Sequence, residues 1–187
     1  MALEYEYLFL FVFLGAGLKI IDDIYDIKVL DEKSAYLLAP LLVLSWTYLS
    51  MANEGYAAIL GAILLSSILT GKVDNSVFKL SAAALIAMWL LWGINVLMVP
   101  LILLTLLGVL DELLDGYGER EGFLKNRGMR QLLRHRLGMK FGVVILYLFA
   151  QLELMHVLAL FAFDIAYEVA PASLDRGRGW IRGVVDA

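Results

Sequence analysis

About six apolar runs, each close to the length needed to cross the hydrocarbon core of a bilayer, follow one another in this chain with only short polar breaks between them. They lie at Tyr5–Ile21, Ser34–Met51, Gly55–Thr70, Val77–Gly93, Asn95–Leu110 and Phe141–Val169. Asn53-Glu54-Gly55 reads as a short turn, Gly71 to Ser76 as a polar loop, and Gly93-Ile94-Asn95 as a tight turn. With 61% hydrophobic residues, 18% charged residues and a mean hydropathy of +0.80, the chain is far too apolar for a soluble globular domain. These features predict an all-α, polytopic membrane bundle of about six transmembrane helices. A single domain over residues 1–170 would be followed by a polar tail, 171–187. Trp46, Trp89 and Trp92 are expected near span ends, at headgroup level.

Composition also excludes some chemistry. Without cysteine there is no disulfide framework, thiolate nucleophile or cysteine metal site. The N-terminus carries Glu4 and Glu6 where a cleavable signal would be basic, so the first run is expected to be retained. A net charge of -4 is too small to specify a partner.

Lysine and arginine set the expected orientation. Lys28 and Lys33 follow the first run, Lys72 and Lys79 flank the loop after the third, and a basic segment from Arg120 to Lys140 follows the fifth. The alternate loops, Met51 to Glu54 and Gly93 to Asn95, carry no lysine or arginine, so the basic loops are expected in the cytoplasm of a cell-membrane protein. The last run is long for one crossing, about 42 Å as a helix. A single tilted helix is favoured, although it would put Arg176, Arg178 and Arg182 on the wrong side. The competing hairpin would force Gln151, Glu153 and His156 into a turn.

Two acidic clusters then share the cytoplasmic rim. Asp22-Asp23-Ile24-Tyr25-Asp26 closes the first run and Asp111-Glu112-Leu113-Leu114-Asp115 closes the fifth. Four intervening runs return the chain to the same side, which suggests repeat halves near 8–75 and 97–165 with the clusters face to face. In each cluster the first and last aspartates stand four residues apart and share a helix face, where like charges repel unless a cation intervenes. Hard Mg²⁺ takes one or two carboxylates together with phosphate oxygens. Asp22, Asp23, Asp26, Asp111, Glu112 and Asp115 are therefore candidate metal ligands, with Asp22, Asp26, Asp111 and Asp115 the catalytic set. A plain solvated helix end is the competing reading.

The first cluster has the DDxxD form with which prenyl-diphosphate enzymes bind Mg²⁺ and diphosphate. Its pairing with Asp111 to Asp115 resembles the UbiA superfamily of intramembrane prenyltransferases, which joins an N-D-x-x-D-x-x-x-D motif to a later D-x-x-x-D. Here Asp22 replaces the asparagine, and Asp31 falls one position beyond the place of the motif's last acid. The acidic, glycine-containing stretch Asp115 to Gly122 also looks like that family's continuation. The resemblance implies a membrane enzyme that binds an isoprenoid diphosphate through Mg²⁺ and transfers the prenyl group to an acceptor.

Arg120, Lys125, Arg127 and Arg130 open a basic, leucine-bearing segment expected to form an interfacial helix. It could hold anionic headgroups or grip substrate phosphate. Nucleic acid is not an expected partner, because the rest of that face is acidic; membrane lipid is, and the small size points to a homo-oligomer or a partner subunit. Asp74 reads as a solvated loop residue or a further cation ligand. Glu153 and His156 read as an ion pair facing the bundle or as an acid and base. Two further function classes remain open: a small cation or solute transporter with a carboxylate ion site, and a non-catalytic membrane scaffold.

Overall fold

The computed structural model describes residues 2–28, 31–120 and 137–185, with side chains described over 5–28, 31–114 and 137–170. All regular structure among them is helical. The helices are α1 (Ala2–Asp26), α2 (Glu32–Ala52), α3 (Glu54–Leu69), α4 (Ser76–Trp92), α5 (Met98–Arg120), α6 (Leu137–Leu148) and α7 (Leu154–Val185). α2 is long and apolar enough to cross a membrane, whereas α3, α4 and α6 are shorter apolar helices.

Local chemistry marks most boundaries. Asp31 accepts from the Lys33 N–H at the start of α2, which explains an acid at that position without any ligand. Asn53 ends α2 and caps α3 through Gly55 N–H at 2.7 Å; Asn75 caps α4 through Phe78 N–H at 2.8 Å. Gly93 closes α4 at φ 58°, a left-handed conformation that glycine adopts without a Cβ clash.

The last apolar run differs from expectation. It breaks at residues 149–153 into α6 and α7, and the two return antiparallel, with Lys140 of α6 lying 3.4 Å from Asp164 of α7. The break is a Schellman turn: Gln151 N–H reaches back to Leu146 O and Ala150 N–H to Tyr147 O, each at 2.9 Å. The residue that must turn left-handed is Ala150, at φ 54°. Helix propensity argues against a turn there, and the conformation costs an L-residue about 1 kcal/mol or more. His156 helps hold it, because its Nδ1 accepts the Glu153 N–H at 3.0 Å while its Nε2 meets Asn53 Oδ1 at 2.7 Å. Thus the 153/156 contact runs from a backbone amide to the ring and is not a carboxylate–imidazole ion pair. With Nδ1 accepting, Nε2 is the nitrogen that carries the proton, so the ring ties the α6/α7 turn to the α2/α3 turn.

α1 and α7 share the most extensive helix interface; α3 packs on α5, and α2 lies against α1, α3 and α4. Close approach of α1 and α7 depends on Gly15, where a Cβ would collide with the Phe163 carbonyl oxygen. Phe11, Leu14, Ile21, Leu49, Ile59, Leu60, Leu104, Leu160 and Phe163 fill the interior. The outside is apolar as well: Leu37 is 77% exposed and Leu90 and Leu91 each 79%. Trp92 is exposed near the end of α4, as expected, but Trp46 is 4% exposed and belongs to the core.

Gly15→Val is expected to lower unfolding stability in detergent by about 3 kcal/mol through overpacking at Phe163. Ala150→Gly should raise it by about 0.5–1 kcal/mol by relieving the left-handed alanine. Both are read by thermal or denaturant unfolding of the purified protein; an unchanged midpoint for Ala150→Gly would argue against the turn.

Candidate functional site at the α1/α7 rim

Asp22 and Asp23 sit one turn from the end of α1, and the residue that faces both lies on the same helix. Lys19 Nζ is 2.9 Å from Asp22 Oδ2 and 2.9 Å from Asp23 Oδ1, at the three- and four-residue spacings that bring helical side chains together. Asp23 is 2% exposed, so removing Lys19 would strand a buried charge. Asp22 is half-buried and also accepts from the Tyr167 hydroxyl at 3.3 Å, which brings α7 into the cluster. Lys19 lies 5.6 Å from the centre of the Tyr167 ring. Neither Lys19 nor Tyr167 stands out in sequence as a site residue. The spacing of Lys19 to the two aspartates was a legible signal; Tyr167 had none.

Asp26, the last residue of α1, is exposed. Its carboxyl is pushed above the ordinary carboxylate range, first by partial burial and then by the charges of Asp22, Asp74 and Asp23, against the opposing pull of Lys19. Asp74 is exposed in the loop before α4, close enough for its charge to be felt at Asp26.

The second cluster is arranged differently. Asp111 is 9% exposed and turned toward the start of α6, where its two oxygens accept the Gly138 and Met139 N–H groups at 2.9 Å each. It is the cap of a helix distant in sequence. A Cβ on residue 138 would stand 2.7 Å from Asp111 Oδ1, so the cap needs a glycine there. Glu112 pairs with Lys72 from the α3/α4 loop. Asp115 and Arg120 lie on α5 with side chains outside the described residues, and Lys125, Arg127 and Arg130 lie outside the described residues altogether. Among the described residues no three carboxylates or imidazoles gather as a ligand set. α1 and α5 also pack mainly on other helices: α1 on α7 and α2, α5 on α3 and α6.

A cavity of about 120 Å³ connects the two clusters indirectly. Its polar lining is Asp22, Tyr167, Ser67, Ser81 and Lys72, the last being the partner of Glu112. Its apolar wall includes Trp46, Phe78, Leu85 and Phe163. On α7, Asp164 and Glu168 each lie 3.4 Å from Lys140, and Asp164 is 6% exposed, a buried charge that the apolar run around it conceals. Glu153 and His156 are at the opposite end of the bundle, beside an open bowl lined by Asn53, Glu54 and Gln151.

Asp111→Ala should cost about 2 kcal/mol of stability by uncapping α6, and Asp111→Asn less, because an amide oxygen can still accept one of the two bonds. Because the folded chain keeps the Asp26 proton to higher pH than the unfolded chain, the ionised carboxylate opposes folding at neutral pH. Asp26→Asn should therefore raise the unfolding midpoint at pH 7, with the gain fading as pH falls toward the ordinary carboxylate value. No family model, no curated protein and no solved structure matches this chain.

Proposed function

We propose that this chain is a polytopic membrane protein that takes the apolar part of an isoprenoid or lipid diphosphate into the α1/α2/α3/α4/α7 cavity, and transfers the prenyl group to an acceptor. The observation that carries this reading is the cavity itself, apolar along its wall and ending in Asp22, Tyr167 and Lys72 at the rim where the acidic clusters lie.

The membrane placement is supported by outward faces rich in leucine, since helices apolar all round are either buried or in lipid. The α6/α7 break adds support. It brings α7 back toward the rim of the acidic clusters, so its Arg176, Arg178 and Arg182 join the side rich in lysine and arginine. Seven crossings then replace the six expected, and the acidic rim faces the cytoplasm.

Asp22 and Asp26, one turn apart with Asp74 nearby, suit Mg²⁺ as hard oxygen donors, and their mutual repulsion is what a divalent cation relieves. Asp115 is the member of the second cluster proposed to join them. Asp111 and Glu112 fit poorly, because the α6 backbone and Lys72 already engage them. Bound there, Mg²⁺ would neutralise a diphosphate leaving group. Tyr167 holds Asp22 in place, and the Lys72 ammonium offers a second positive charge to phosphate. The wall of Trp46, Phe78 and Phe163 keeps water from the allylic carbon, whose bond to the diphosphate oxygen breaks as the acceptor attacks. Cavities of roughly 150 Å³ admit a benzene-sized group, so this one encloses little more than an isoprene unit; a longer chain would leave between helices into lipid.

A non-catalytic, lipid-binding scaffold is the second reading, favoured by the structural employment of Asp111 and Glu112. Geranylgeranyl diphosphate binding to the purified protein separates the two. The enzyme reading expects Mg²⁺-dependent binding, weakened at least about tenfold by Asp22→Asn, Asp26→Ala and Asp115→Ala, the loss of one charge-assisted contact. Binding indifferent to Mg²⁺ and to all three changes would leave the scaffold.

A further inference from the structure

At the end of the bundle opposite the acidic rim, His156 is 3% exposed and both of its ring nitrogens are engaged. It is the third residue of α7, and its Nδ1 accepts the N–H of Glu153, the residue just before the helix. In a capping box that place belongs to glutamate or glutamine, whose side chain reaches back to the same N–H. A neutral imidazole takes the place here, with one difference. Its accepting nitrogen gains a proton within the range of about pH 5 to 8, and an imidazolium has two donors and no acceptor. Nδ1–H would then point at the Glu153 N–H, donor against donor.

The surroundings decide where a protonated ring can turn. Its bond to Asn53 Oδ1 survives, because Nε2 donates in both states. α3 closes one face: a Cβ on Gly55 would collide with the ring, and the Tyr56 ring centre is 4.7 Å away. α1 stands behind with Tyr7, whose ring centre is 5.5 Å from that of Tyr56. On the remaining side His156 borders the open bowl, to which α6 contributes Tyr147, α3 contributes Glu54, and the turn contributes Gln151 and Glu153. Both glutamates are exposed, and no lysine or arginine lines the bowl. A positive ring is therefore drawn to these carboxylates.

We propose that His156 is a proton-operated latch: a proton taken from the bowl at Nδ1 removes the acceptor of the Glu153 N–H, uncaps α7, and swings the ring toward the Glu54 and Glu153 carboxylates, loosening the α6/α7 turn. The latch lies beyond the cavity and the acidic rim, and it depends neither on Mg²⁺ nor on prenyl transfer. Neutral pH closes it and acid opens it.

The test follows full-length protein in detergent, carrying ¹⁵N-labelled histidine, from about pH 8 to about pH 5. His135→Gln leaves His156 the sole histidine and so assigns its ring. Protection of the Glu153 amide against hydrogen exchange, corrected for the intrinsic pH dependence, is expected to fall about tenfold, the worth of one hydrogen bond. Its midpoint should coincide with the titration of the His156 ring. His156→Gln restores the usual capping residue without a titrating group, and should hold the amide protected at both ends of the range. Constant protection in the unaltered protein, a ring that stays neutral or titrates apart from the amide, or an equal loss of protection in His156→Gln would each overturn the inference. The ring and amide midpoints decide it even where His156→Gln does not fold.

Discussion

The contact between α1 and α7 governs the arrangement of everything at the acidic rim. Gly15 lets the Phe163 backbone close onto α1, and one turn further along α7 this closeness sets the Tyr167 hydroxyl against Asp22 and its ring beside Lys19. Neither contact could form if the last apolar run were a single tilted helix, because α7 would then run in the opposite direction to α1. The seam thus depends on a turn at its far end, where Ala150 accepts a left-handed backbone and His156 fastens the turn to Asn53. Two ends of the bundle are coupled in this way: a hydrogen bond at one rim fixes the direction of the helix that completes the site at the other.

Charge inside the bundle is handled by local pairing. Lys19 serves two aspartates, Lys140 serves Asp164 and Glu168, and Asp111 serves two backbone amides. The last case has a plain cause. α6 is short, about 18 Å at 1.5 Å per residue, and begins beside a buried part of α5, so its first N–H groups have little access to water. A carboxylate from α5 satisfies two of them at once. An acidic residue that looks like half of a cation site can therefore be a helix cap.

Boundaries marked by capping residues and glycine were legible from sequence: the breaks at Asn53, at Gly71 to Asn75 and at Gly93 all fall between helices. The break at Ala150 was legible only in part: the length of the run, its polar Gln151 and Glu153 and the arginines beyond it allowed a hairpin, but no glycine, proline or cap residue announces the turn, and the tertiary bonds of His156 and the Schellman carbonyls decide it. Site residues divide similarly. Asp22 and Asp26 could be found from spacing along one helix, and Lys19 could have been. The cap role of Asp111, the contact of Tyr167 and the burial of Trp46 arise from packing between segments far apart in the chain, which residue spacing does not encode.

The two acidic clusters, alike in sequence, consequently have unlike physical standing. On α1, Asp26 is exposed and raised by its neighbours, while Asp22 borders the cavity and is held by Lys19 and Tyr167. On α5, Asp111 and Glu112 face inward to α6 and Lys72. Lys72 is the hinge between them, lining the cavity while bound to Glu112, so an anionic head that draws Lys72 toward itself would weaken that ion pair. Two segments alike in sequence are thus employed differently, α1 pairing its aspartates with Lys19 and Tyr167 and α5 placing its acids against the α6 backbone and Lys72.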